Sequence, residues 1–559
     1  MLTNLNVRNF RSLEHVEVPL APLTAIVGPN GTGKTSLLRA IELVLGEAWP
    51  SLRSFRIPQD FTRFDATRDI EIVVGFEPPY VHRDTHSNEH SIVALRLTCK
   101  PYKRSGKWGS TGDLHADIEP LNDKGVVPSV ATGQPTKGQK TQFGPLRVGT
   151  DLRDHARVLF IDHRRSLMQH LPYMRGSILG RLLQPARKEF TAQDDFRKAY
   201  EQAMDLLRTE QVKKIEETVA ETAKRMLGFL GGSRAGSIDI GFGFSDPANP
   251  FGSLRLQYQE SGLAVPGEEL GLGIQSAIVV GIFEAFRQMG TECGTLAIEE
   301  PEMYLHPQAQ RYFYRLLCEM ADKNQCQVIY STHSPIFADV SRFEGLRLVR
   351  REAGEHSRIA HVPKERQATL DQARAAFKLG GRFDSARNEV LFAQRALLVE
   401  GYGDRIAALL VAEKFGHDVD AEGVTVVDCG GKSGIELVLG VCHALSIPCV
   451  VLHDEDVWPT DSIGDDVKRK KQEAENKNEK AKNERIRQAA GTMPVFVMVP
   501  SLEEVLGISR NASDKPRRVA EALAGVDFGA TNERLRPLLD AVRDVAAAGS
   551  AHATAPGKG

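Results

Sequence analysis

The feature that most limits what this chain can fold into is the octapeptide GPNGTGKT at residues 28–35. It satisfies G-x-x-x-x-G-K-[ST] at every fixed position. An apolar strand-like run, LTAIV, precedes it, and a helical pattern, SLLRAIELVLG, follows. In that setting the glycines let backbone N–H groups wrap phosphates, and the helix N-terminus adds positive potential. Lys34 is expected to reach the outer phosphates of ATP, and Thr35 to ligate Mg²⁺. Asn30, Gly31, Gly33 and Ser36 complete the expected nucleotide contacts. A chance glycine-rich turn is the competing reading, and the flanking strand and helix argue against it.

Three later segments fit the same site. GTLAIEEPEMYLHP (294–307) is an apolar strand ending in two acids. Glu299 is the candidate on the metal side and Glu300 the candidate for orienting or deprotonating the attacking water. Two glutamates after a strand are ordinarily a solvated turn, and the phosphate loop shifts that balance. QVIYSTHSP (327–335) is a strand leading to His333, placed to hydrogen-bond the terminal phosphate. LGLGIQSAIVVGIFEAF (270–286) sets Gly271, Gly273 and Ser276 at the start of an apolar helix, where Ser276 is a phosphate-binding candidate.

The last third carries a different chemistry. RALLVEGYGD (395–404) is an apolar strand ending in Glu400, then a turn and Asp404. TVVDCGGKSG (425–434) is a strand and glycine turn; PCVVLHDED (448–456) ends in Asp454 and Asp456; PVFVMVPSLEEVLG (494–507) leads to Ser501 and Glu503. In a parallel α/β sheet the strand C-termini gather at one edge. Carboxylates converging there repel unless cations neutralise them, and hard oxygen ligands favour Mg²⁺, Mn²⁺ or Ca²⁺. Two such ions suit in-line attack on a phosphodiester.

The first constellation, with the opening LNVRNFRSLEHVEV, resembles the ABC ATPase heads of DNA-repair and chromosome-maintenance proteins. The second resembles a TOPRIM domain: a Glu after the first strand and D-x-D after a later one. The ordered pair is similar to the OLD family of nucleases across nearly the whole chain. That resemblance implies an α/β protein: an ABC-type P-loop ATPase with a helical dimerisation insertion, then a Rossmann-like parallel-sheet TOPRIM domain. The implied divisions are 1–173 and 233–370 for the ATPase and 174–232 for the insertion. A linker at 371–394, the TOPRIM domain at 395–545 and a disordered tail at 546–559 follow. It further implies Glu400 and Asp404 as ligands of one metal, and Asp454, Ser501 and Glu503 of the other, with Asp456 nearby. Lys515 becomes the candidate for the positive group that stabilises the transition state, although a surface lysine is the ordinary reading. The expected function is ATP-regulated, metal-dependent DNA cleavage or nicking by a homodimer. A helicase partner and a role in phage defence or DNA repair are left open.

Composition narrows the alternatives. The net charge is −2, so DNA contacts must come from local patches rather than a global positive field. The run VKRKKQEAENKNEKAKNERIR, in an insertion near 461–490, is such a patch or a solvated helix laced with i,i+4 pairs. The seven cysteines show no C-x-x-C spacing and suit buried free thiols in a reducing, cytoplasmic setting. No apolar run is long enough to span a membrane. Residues 101–145, rich in Gly, Ser, Thr and Lys, are expected as a surface loop or long hairpin. Two rival functions remain: a DNA clamp with a decayed metal site, which the intact acid set opposes, and a topoisomerase, for which the ten tyrosines offer no recognisable strand-transfer domain.

Overall fold

The computed structural model describes residues 1–46, 49–50, 54–56, 58–101, 114–132, 142–156, 158–161, 210–228, 236–242, 254–260, 263–266, 269–289, 294–324, 326–351, 355–377, 385–461, 463–509, 512–526 and 533–547. Most of the expected helical insertion and nearly all of the expected tail lie outside these residues. The chain divides into two compact units. One comprises Met1–Ile26, Gly33–Thr332 and Glu352–Ser357; the other comprises Val27–Thr32, His333–Arg351 and Arg358–Gly559.

In the first unit, strands Leu23–Val27, Cys326–Thr332, Gly294–Glu299 and Val158–Ile161 lie side by side in that order. Gly294–Glu299 pairs in parallel with both of its neighbours. Leu296, Ala297, Ile298, Val328 and Ile329 are almost fully buried, which explains the unbroken apolar runs: a parallel sheet is covered on both faces. A second, antiparallel sheet runs Leu13–Pro19, Leu2–Phe10, Ile70–Arg83, Glu89–Pro101, Leu114–Leu121. Its last strand falls inside the stretch expected to be a surface loop or long hairpin. That strand, LHADIEPL, buries Ile118 and Leu121, and beyond it Ser129–Thr132 pairs antiparallel with Gln142–Pro145.

Of the expected helical insertion, Glu210–Gly228 is described as a helix. It buries Val219, Ala223 and Met226 and meets the helix Leu272–Met289. Gly281 allows the close approach: a Cβ there would sit 3.0 Å from the Val219 carbonyl oxygen. Cys99 is a buried free thiol, as are Cys429, Cys442 and Cys449.

In the second unit, four strands form a wholly parallel sheet in the order Val424–Asp428, Arg395–Val399, Cys449–Asp454, Val495–Met498. Parallel neighbours require crossovers, supplied by helices Tyr402–Lys414, Lys432–Ala444 and Asp466–Ala490. The chain leaves the Arg395 strand to one side and returns on the other. The switch point, where ligand crevices form, therefore lies between the strand ends at Val399 and Asp454. Leu397, Val399, Ala407, Ala408, Val411, Leu452, Leu538 and Ala541 pack into one core under this sheet. The described parts of the expected linker are packed, with Ala373, Val390 and Leu391 buried.

Candidate functional site

The phosphate loop is built at the start of helix Lys34–Leu45. Its N-cap, Gly33, has φ 110°, and a Cβ there would fall 2.6 Å from Ser12 Oγ and 2.7 Å from Ser357 Oγ. Only glycine combines that dihedral with that enclosure. Asn30 and Gly31 lie in the exposed turn before it, and Ser36 is buried in the helix.

The structure brings Lys34, Thr35, Glu299 and Glu300 together. Thr35 Oγ1 donates to Glu299 Oε1 at 2.5 Å. Lys34 is buried, and burial lowers its pKa to about 8 against the opposing pull of Glu300, Glu302 and Glu299. Glu300 N–H donates to the Ser331 carbonyl at 3.0 Å. Its φ of 46° is a left-handed conformation that few non-glycine residues adopt, which marks a constrained strand end. Glu302, which the sequence reading passed over, accepts from Thr332 Oγ1 at 2.9 Å. The available signal was a third acid in EEPE. Ser276 is not presented as expected. It is fully buried, with its hydroxyl 3.5 Å from the Met303 carbonyl, because the helix start packs beneath the turn after Glu300. His333 directly follows strand Cys326–Thr332.

The second constellation forms a cavity of 190 Å³ at the C-terminal edge of the parallel sheet, lined by Glu400, Asp454, Asp456, Trp458, Ser501, Glu503, Glu504, Ile508 and Lys515. Each predicted group is held locally. Glu400 Oε2 accepts from Asp454 N–H at 3.3 Å, and Asp454 Oδ1 accepts from Leu502 N–H at 2.9 Å. Ser501 Oγ accepts from Glu504 N–H at 3.3 Å as the cap of a short turn. Lys515 Nζ donates to Glu503 Oε1 at 3.1 Å. Asp404 is the exception among the predicted ligands: it does not line the cavity. Its carboxylate folds back onto the first turn of its own helix, where Oδ2 accepts from Gly401 N–H at 2.9 Å.

Sequence reasoning also missed Lys432. Its side chain is 3% exposed, with Nζ 2.9 Å from Asp456 and 3.0 Å from Glu479. TVVDCGGKSG registered only as a strand and a turn. A lysine behind Gly-Gly at the carboxyl edge of the sheet was the signal.

The electrostatics follow from crowding. Burial, only partly opposed by Lys432, raises the Glu400 pKa to about 7. Burial and then Glu400 raise Asp404; burial and then Asp404 raise Asp454. Like charges in low dielectric cannot all ionise without a compensating cation. Among the described residues no three Asp, Glu, His or Cys side chains enclose one ion-sized point. The reason is visible in the bonds above: each carboxylate is drawn to its own N–H or ammonium partner. The all-oxygen donor set and its raised pKa values nevertheless fit a hard divalent cation.

Comparison with known proteins places these two sites in context. A family model described as AAA ATPase domain matches residues 1–96 and 154–338. One described as Overcoming lysogenization defect protein-like, TOPRIM domain, matches 391–456. The OLD nuclease of Thermus scotoductus is 64% identical over 545 residues, spanning 98% of this chain and 99% of the relative. The Old nuclease of Escherichia phage P2 is 21% identical over 502 residues, 81% of this chain and 77% of the relative. A Pyrococcus furiosus Smc head domain, solved with the C-terminal domain of ScpA, covers 66% of this chain at 14% identity and a TM-score of 0.38, too loose a likeness to bear on function.

Proposed function

From the premise that this chain belongs to the OLD nuclease family, we propose that the cavity at the edge of the parallel sheet is its DNA-cleaving centre and that the loop around Lys34 holds ATP. The chain is a nuclease that carries an ATPase domain and a TOPRIM domain. The observation that carries the assignment of the centre is the convergence of Glu400, Asp454, Asp456, Ser501, Glu503 and Lys515, drawn from separate segments, on one 190 Å³ cavity.

Glu400, Asp454, Asp456 and Glu503 would hold Mg²⁺ or Mn²⁺, with Ser501 beside them. Asp404 Oδ2 fixes the turn that carries Glu400 by accepting from Gly401 N–H, and its Oδ1 would remain available to join them. A divalent cation there supplies Lewis-acid stabilisation of the phosphodiester oxygens and lowers the pKa of a bound water. Lys515 lines the same cavity, and its ammonium would neutralise an incoming phosphate after leaving Glu503. At the other site Lys34 would pair with the outer phosphates and Glu300 would orient the attacking water. The working form is a homodimer, with residues 174–232 as its interface, a reading checked by light scattering of a deletion variant.

The test is plasmid cleavage by purified protein with Mg²⁺, Mn²⁺ and ATP varied independently. Nicked or linear product that requires a divalent cation and disappears in Asp454→Ala supports the assignment. Wild-type cutting by both Asp454→Ala and Glu400→Ala overturns it, because the cleavage then arises elsewhere than in this cavity.

A further inference from the structure

Helix Asp466–Ala490 is unusual in what holds it. It buries only Asn483, Ile486 and Ala490. Nine Lys or Arg and five Asp or Glu fill most of the rest. A helix without an apolar face needs polar anchors to stay docked. It has them along one stripe, at Asn476, Glu479 and Asn483. Asn476 accepts from Trp458 N–H at 3.1 Å and donates to the Trp458 carbonyl at 2.7 Å. Asn483 donates to the Glu455 carbonyl at 2.8 Å. Glu479 takes the ammonium of Lys432 at 3.0 Å.

All three anchors grip one short segment, Glu455–Trp458, directly or through Lys432. That segment carries Asp456, at φ 55°, and Trp458, both lining the acidic cavity. Lys432 joins the parts. It bonds Asp456 at 2.9 Å, Glu479 at 3.0 Å and the Glu455 carbonyl at 3.2 Å.

The chain fixes Lys432 there by a strained-looking but well-bonded turn. Gly430 and Gly431 have φ 71° and 108°. Gly431 N–H donates to the Glu400 carbonyl at 2.7 Å. Lys432 is therefore tied to the Glu400 strand end by backbone and to Asp456 by charge. Burial works against its ammonium, but the bond to Asp456, with Glu400 and Glu479, outweighs it and raises the pKa.

We propose that Lys432 is a positioning residue for the metal site: a built-in cation, shared between Asp456 and Glu479, that holds the Asp456 segment in place and competes with a divalent ion for its carboxylate. Helix Asp466–Ala490 is then a working part of the centre, not a solvated insertion. This rests on the cavity being the cation site proposed above.

Competition and anchoring make opposite predictions for the two partners. Lys432→Met removes a positive charge beside the cluster, so Mn²⁺ should bind about three- to tenfold tighter. The Asp456 segment loses the one anchor that grips its carboxylate, so the cleavage rate at saturating Mn²⁺ should fall about tenfold or more. Glu479→Gln leaves Lys432 to Asp456 alone, so Mn²⁺ should bind about threefold more weakly.

The experiment is calorimetric titration of the full chain with Mn²⁺, without DNA, with ATP binding and melting temperature as controls. Tighter binding by Lys432→Met and weaker binding by Glu479→Gln support the proposal. A role confined to folding would weaken both or move neither, and either result overturns it. If Lys432→Met does not fold, Glu479→Gln decides alone: unchanged Mn²⁺ affinity then sinks the idea. Failure of the wild type to bind Mn²⁺ at all would instead overturn the cavity assignment.

Discussion

The two candidate centres have opposite electrostatic demands. Around the phosphate loop a buried cation, Lys34, sits among Glu299, Glu300 and Glu302 with its pKa lowered to about 8. At the sheet edge buried carboxylates crowd together, and Glu400 is raised to about 7. At the first site burial works against a cation despite the acids around it; at the second it works against carboxylates that also repel one another. On the proposed assignment, a nucleotide phosphate would pair with Lys34 at one and a divalent metal would neutralise the acids at the other. Desolvation is the leading cause at both, so one physical term gives opposite chemistries according to the charge it acts on.

The largest expected effect is the loss of cleavage in Asp454→Ala. It removes a carboxylate that faces the cavity and receives Leu502 N–H, and should cost at least about 100-fold in plasmid cleavage. ATP hydrolysis should persist. Loss of both activities together would break the separation of the two sites.

Next is Glu300→Gln, which keeps size and removes the charge that polarises water. Nucleotide binding should remain while phosphate release slows about 100-fold or more. Unchanged turnover would move the catalytic acid elsewhere, with Glu302 the next candidate.

Lys34→Ala should weaken ATP binding about 10- to 100-fold, the equivalent of one or two charge-assisted hydrogen bonds. Mn²⁺ binding at the sheet edge should not change. Equilibrium binding of a fluorescent nucleotide, set beside Mn²⁺ calorimetry, reads both.

The smallest effect is on stability. Glu400 has a folded pKa above that of the unfolded chain, so the native state holds the extra proton between about pH 4.5 and 7. Stability of the metal-free protein should therefore fall as pH rises through that window, by at most about 3 kcal/mol from this group. A bound cation relieves the repulsion of the ionised form. Mn²⁺ should thus raise the melting temperature more at pH 8 than at pH 6. An equal rise at both pH values would remove the crowded-carboxylate account.

Much of both sites was legible because their chemistry is local in sequence. GPNGTGKT fixes a loop geometry within eight residues, and each acid of the second site ends a strand or begins a turn. What the chain order concealed is lateral. Lys432 and Glu479 are 47 residues apart and meet only because two crossover helices flank one strand end. Asp404 is a candidate ligand by family resemblance, and only the structure shows that its Oδ2 also caps its own helix. Ser276 sits in a recognisable glycine-rich helix start, but packing against the Met303 turn buries it.

The sequence by itself determined that a phosphate loop opens a helix and that a parallel sheet ends in carboxylates. Those are properties of short-range backbone geometry and hydrophobic pattern. Only the tertiary structure decided which side chains share the cavity and which are spent on caps. It alone paired Lys432 with Asp456 and Glu479. Coulomb and desolvation energies depend on distance through space, and distance along the chain does not specify them.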